Sequence, residues 1–115
     1  MTLLDKYKQF FPYPYIRPEQ ESMLKAINDG LEKGKNCIIE APSGIGKTVA
    51  SLTLLVPYAI ENRLKVLYMC RTHTQMSRAV EELRKLRAKG LEFKAMMLRG
   101  KSDLCFLEQV RKLPY

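Results

Sequence analysis

Apolar positions recur at helical spacing in three stretches of the chain and bunch into short runs between them. From Pro18 onward, Met23, Leu24, Ile27 and Leu31 fall on one helical face, and Gly34 stops the pattern. Pro18 suits a first turn, where its missing N–H is no loss, while Glu19 and Glu21 favour the positive end of the helix dipole. The spacing predicts an amphipathic helix of about four turns. After Asn36, the β-branched run Cys37, Ile38, Ile39 reads as a short buried strand, followed at once by a loop containing Pro42, Gly44 and Gly46. Residues 48–60 are helical in content, with Val49, Leu52, Leu55, Val56 and Ala59 on one broad stripe that Pro57 should kink or end. Residues 65–70 are too few and too apolar for a surface helix and predict a second buried strand. Thr74 is the expected N-cap of a helix over residues 75–86, with Met76, Val80, Leu83 and Leu86 inward, arginines outward and Gly90 ending the region. Residues 93–98 make a third strand candidate.

Short strands alternating with helices are the pattern of β-α-β units, whose crossovers force a parallel sheet covered on both faces. Ahead of them, residues 7–15 hold five aromatics and two prolines with neither helical nor alternating periodicity. Residues 1–17 are therefore expected to form an extended aromatic and proline arm pressed on the body.

The chain has 115 residues, 46% apolar and 28% charged, a size at which one domain buries a real core. Its net charge is +8, with 7 basic and 6 acidic side chains in residues 1–57 against 13 and 6 in residues 58–115. The basic second half suits a polyanionic partner or, equally, a solvated helix face on which Glu81 and Glu82 pair with Arg84 and Lys85. No apolar run reaches the roughly 18 positions of a membrane helix, and the charged start lacks the apolar stretch of a leader, so a soluble protein without a membrane partner is expected. The three cysteines, Cys37, Cys70 and Cys105, include no C-x-x-C pair, which argues against a disulfide framework and for a reducing compartment. Cys37 and Cys70, on strands, are read as core.

The loop Ala41-Pro42-Ser43-Gly44-Ile45-Gly46-Lys47-Thr48 lies between the first strand and the helix after it, the context of a phosphate-binding P-loop. Ala41 departs from the strict pattern, which opens on Gly. Gly44 and Gly46 allow positive φ and let backbone N–H groups, Ser43 and Ile45 included, form a concave nest for a phosphate. The helix start adds unpaired amides and a positive dipole end. Lys47 is long enough to reach the β- and γ-phosphates, and the Thr48 hydroxyl suits a Mg²⁺ shell. An ordinary strand-to-helix turn uses glycines too, but needs neither Lys47 nor Thr48.

This loop, followed by Cys70-Arg71-Thr72-His73-Thr74-Gln75 at the end of the next strand, resembles the N-terminal part of the XPD-like iron-sulfur DNA helicases of superfamily 2. Upstream, residues 11–20, with Arg17 and Gln20 three apart after the aromatic-proline stretch, are similar to the family's adenine-side segment. Downstream, residues 98–105 are similar to the segment presenting the first cysteine of the family's 4Fe-4S cluster, here Cys105. The resemblance covers residues 11–105. It implies a RecA-like P-loop α/β fold, an incomplete first motor domain, with residues 18–98 as part of the ATP-binding domain and 99–115 as the start of the cluster region. It further implies ATP and Mg²⁺ as ligands, and 5′ to 3′ translocation on single-stranded DNA in repair-type work. Arg71, Thr72, His73, Thr74 and Gln75 become candidate DNA-backbone contacts, in competition with simple helix capping. The expected location is the cytoplasm of a prokaryote or the nucleus of a eukaryote.

A hydrolysing helicase needs an acidic pair on a later strand and an arginine from a second motor domain. After Thr48 the carboxylates are Glu61, Glu81, Glu82, Glu92, Asp103 and Glu108, none of them placed after an apolar strand in that way. The partners expected are therefore single-stranded DNA and the remainder of a helicase. Another P-loop ATPase or kinase, or a non-catalytic domain that keeps the fold, are the alternatives.

Overall fold

Among the described residues four helices carry the fold: α1 (Leu3–Tyr7), α2 (Pro18–Lys33), α3 (Lys47–Glu61) and α4 (His73–Ala88), with a 3₁₀ turn at Lys8–Phe10 after α1. The computed structural model describes residues 1–100. α1 replaces the first part of the expected extended arm, leaving only residues 11–17 without helical structure. Thr2 starts it: its hydroxyl accepts from Asp5 N–H at 3.1 Å, while the Asp5 carboxylate accepts from Thr2 N–H at 3.2 Å. Leu3, Leu4 and Tyr7 then dock on α2 and α3, and that burial holds a helix too short to persist alone. The buried Tyr7 donates its hydroxyl to Glu61, which also takes Lys6 at 2.7 Å. Burial first, and the Glu61 bond second, push the Tyr7 phenol well above its usual range.

α2 begins at Pro18, as expected, and ends at Gly34, whose φ of 60° lets it close the helix in the left-handed region. α3 runs through Pro57 to Glu61 instead of stopping there. Apolar contacts on two sides hold it. Ala50 and Leu54 join Tyr7, Leu24 and Ile27 in a core toward α1 and α2, while Leu52 and Val56 join Leu86 and Leu91 in a second core toward α4. α3 is thus the central helix, buried more widely than the single predicted stripe. α4 starts two residues earlier than expected, because Thr72 and not Thr74 caps it, its hydroxyl accepting from Gln75 N–H at 3.2 Å. Ala79 and Leu86 are buried, but Met76, Val80 and Leu83 are only half-buried.

The half-burial has a cause. Residues 37–39, 65–70 and 93–98 form no strands among the described residues, so the expected buried sheet is not seen. Ile39 leans on the first core, Ile38 is fully exposed, and Leu67, Met69, Met96 and Leu98 are exposed as well. A strand is buried only by neighbours hydrogen-bonded on its edges and layers on its faces, and among the described residues no strand pairs with these segments. Cys37 accordingly is exposed and Cys70 half-buried, correcting their assignment to the core. An open apolar groove of about 770 Å³ lies between α3, α4 and the second and third segments. Among the described residues no helix is long and apolar enough to cross a membrane.

Candidate nucleotide-binding site

The loop before α3 takes its shape from two glycines. Gly44 and Gly46 both have φ of 81°, a region that costs a residue with Cβ about 1–2 kcal/mol, and Gly46 serves as N-cap of α3. No side chain caps α3 and no acidic residue sits in its first turn. Its leading amides and the positive end of its dipole therefore face the loop, the physical requirement for holding an anion.

The predicted site residues come together around this loop from two directions. Lys47 stretches back along it, donating from Nζ to the Ala41 carbonyl at 2.9 Å, while Ser43 is exposed and Ile45 half-buried between them. Arg17, at the N-cap of α2, donates from Nη1 to the Gly44 carbonyl at 3.2 Å. Its own N–H donates to Gln20 Oε1 at 3.0 Å. Gln20 is buried, with 5% of its surface exposed, and its amide lies directly over Gly46: a Cβ on Gly46 would fall well inside the 3.0 Å that such contacts respect. The starts of α2 and α3 thus meet at the loop, brought there by Leu24, Ile27, Ala50 and Leu54 in the core beneath.

Two contacts were not legible beforehand. Tyr68 donates its hydroxyl to Thr48 Oγ1 at 3.3 Å, which places the second apolar segment beside the first turn of α3. No spacing signals it, since the partners are 20 residues apart on different elements. The other is the Arg17 bond to a backbone carbonyl, which carries no residue-type signal at its acceptor. The Thr48 hydroxyl, at the mouth of a nest able to bring phosphate oxygens, fits a hard divalent cation that keeps most of its waters.

Arg71, Thr72, His73, Thr74 and Gln75 are all exposed at the start of α4. Thr72 and Gln75 are also used in capping: Gln75 Oε1 accepts from Arg71 N–H at 3.1 Å while its own N–H is taken by Thr72. Tyr68, whose hydroxyl meets Thr48, lies three residues before this string. Cys105 lies outside the described residues, and among those described no three His, Cys, Asp or Glu side chains group as metal ligands.

Comparison with known proteins places the chain in a family. The DEAD/DEAH box helicase family matches residues 17–113. The chain is 44% identical over 78 residues to the general transcription and DNA repair factor IIH helicase subunit XPD of Dictyostelium discoideum, covering 67% of the chain and 10% of that protein. It is 33% identical over 118 residues to the XPD subunit of Schizosaccharomyces pombe, 95% of the chain and 15% of the relative. It is 39% identical over 98 residues to a probable ATP-dependent helicase of Methanocaldococcus jannaschii, 84% of the chain and 14% of the relative. No solved structure matches it significantly. The chain spans only about a tenth to a seventh of the length of these relatives. With the family match running from Arg17 past α4, the chain belongs to the DEAD/DEAH box helicases and is XPD-like among them.

Proposed function

We propose that this chain forms the nucleotide-binding front of an ATP-dependent helicase that moves 5′ to 3′ on single-stranded DNA in repair-type work. The observation that carries it is the loop 41–48, with two left-handed glycines leading into an uncapped helix and Lys47 bonded back to Ala41. Gly44, Gly46 and the first amides of α3 take the β-phosphate, Lys47 neutralises the γ-phosphate, and Thr48 completes a Mg²⁺ shell. Gln20 offers a planar amide to the adenine edge and Arg17 braces the loop through Gly44. Arg71 and its neighbours through Gln75 contact the DNA backbone, which carries no base sequence.

The remainder of the helicase supplies the acidic pair, the second motor domain and the further strands. The apolar segments favour a parallel sheet completed in that way. Along Val66, Leu67, Tyr68 and Met69 the exposures alternate 41%, 80%, 40% and 84%, the period of two expected of a strand lying with one face on helices and the other open. An apolar open face calls for a second covering layer. A 4Fe-4S cluster needs four ligands, so this chain would contribute Cys105 and the rest of the protein the other three.

Lys47→Ala tests the reading. In the complete enzyme it should lower DNA-stimulated ATP turnover by roughly 10²-fold or more, because a charge preorganised on the transferring phosphoryl is lost. A rate within a few fold of wild type would overturn the nucleotide assignment. Arg71→Ala should weaken single-strand binding equally for all sequences and lower the salt slope by about one.

A further inference from the structure

The irregular stretch 11–17 touches α4 at one place that the nucleotide chemistry does not use. Tyr13 donates its hydroxyl to Glu82 Oε1 at 2.6 Å and accepts from Lys85 Nζ at 2.6 Å. The Lys85 ammonium also lies 4.8 Å from the centroid of the Tyr13 ring and 3.2 Å from Glu82 Oε1. Phe11, itself buried, meets the Tyr13 ring edge-on at 5.9 Å. Both hydrogen-bonding roles of the phenol are thus filled by residues one turn apart on a single helix, about 70 positions away in the chain. Hydrogen bonding to Tyr13 is the leading cause that holds Lys85 above the usual lysine range.

The consequence lies four residues on. Arg17 reaches the Gly44 carbonyl and Gln20 covers Gly46, so the same stretch that ends in Tyr13 on one side ends in the phosphate loop on the other. The connection is short and partly constrained. Between the two, Pro14 fixes its own φ, and Tyr13 and Arg17 each precede a proline, which confines them to extended backbone; Arg17 shows it with ψ of 152°. Only Tyr15 and Ile16 keep free rotations on this path, so a displacement of Tyr13 is felt at Arg17 across two residues.

We propose that Tyr13, Glu82 and Lys85 form a latch that sets the position of Arg17 and Gln20 over the phosphate loop, tying the adenine side of the site to α4. Tyr13 is then a positioning residue for nucleotide, acting through Gln20, and the helix that it reads is the one whose first turn carries residues 71–75. This rests on the nucleotide-binding reading of loop 41–48.

The test is Tyr13→Phe, which keeps the ring, its edge contact with Phe11 and the Lys85 contact while removing the hydroxyl. Binding of Mg²⁺·ATP and of Mg²⁺·tripolyphosphate to the chain would be measured alongside thermal unfolding. Tripolyphosphate lacks the adenine edge that Gln20 meets and shares with ATP whatever Arg17 passes to the loop, so a positioning role for Gln20 predicts ATP weakened about five-fold more than tripolyphosphate. In a Gln20→Ala background the Tyr13→Phe effect on ATP should shrink to its effect on tripolyphosphate. Equal loss of both ligands, or no loss of either, would overturn the latch while leaving the site reading intact. A wild-type chain that binds neither ligand would instead remove the site reading. If Tyr13→Phe does not fold, Lys85→Met, which keeps the apolar stem, must show the same ATP-selective loss, and its absence there overturns the latch equally.

Discussion

Replacing Gly46 with Ala separates two costs that the loop geometry combines. Gly44 and Gly46 share a φ of 81°, so Ala at either position has the same left-handed backbone penalty of about 1–2 kcal/mol. Around Gly44 a new Cβ meets nothing within 4 Å, so Gly44→Ala should cost that penalty and no more. At Gly46 the Cβ collides with the Gln20 amide. Gln20 must swing aside, breaking its 3.0 Å bond with Arg17 N–H and leaving a buried amide to find new partners, which adds about 1–2 kcal/mol. Gly46→Ala is therefore expected to cost about 2–4 kcal/mol in all. Urea unfolding followed by far-ultraviolet circular dichroism measures both, provided the slope is unchanged. The decisive arm is Gln20→Ala, which removes the obstructing amide: in that background Gly46→Ala should fall to the cost of Gly44→Ala. Equal costs for the two glycines in wild type, or an unaltered Gly46→Ala cost without Gln20, would refute the argument that Gln20 and not backbone strain distinguishes them.

Three further outcomes follow from the packing and the charges. Leu54→Ala and Leu86→Ala, each fully buried but in different cores, should each cost about 2–5 kcal/mol in urea unfolding, and the costs should add because Leu54 packs toward α1 and α2 while Leu86 packs against Leu52 and Val56 in the other core. Asp5 is held down to about 2, chiefly by the Thr2 hydroxyl, and Glu61 below its usual range, chiefly by Lys6. Both folded values lie below the free ones of 3.8 and 4.5, so the docking of α1 is complete above them and lost as pH falls toward 2, measured as loss of amide protection in residues 3–7; protection unchanged at pH 2 would refute it. Cys37, exposed, should react with a thiol reagent in the folded chain faster than the half-buried Cys70, whereas equal rates appearing only in denaturant would restore both to the core.

What was legible in the sequence was what depends on near neighbours. The face of α2 from Leu24 to Leu31, its stop at Gly34, and the loop with its two left-handed glycines all rest on residues within a few positions of one another. Two misses were also local and had a signal: Thr2 with Asp5, and Thr72 with Gln75, both stand at capping-box spacing, which the aromatic-proline stretch and Thr74 overshadowed. The strands were a different matter. An apolar, β-branched run records that a segment is suited to burial, not which partner covers it, and among the described residues no strand pairs with 37–39 or 65–70.

That division bears on how the site is built. The contacts from Arg17 to Gly44 and of Gln20 over Gly46 join the starts of two helices packed through Leu24, Ile27, Ala50 and Leu54. Lys47 to Ala41 ties α3 to the end of the first apolar segment, and Tyr68 to Thr48 ties it to the second. The turn at Gly44 and Gly46 is therefore held chiefly by the α2 and α3 pair. On the proposed reading, the Mg²⁺ side, and the string that starts three residues after Tyr68, depend instead on residues 65–70. Nucleotide affinity should accordingly survive in this chain more fully than the dependence of that affinity on Mg²⁺.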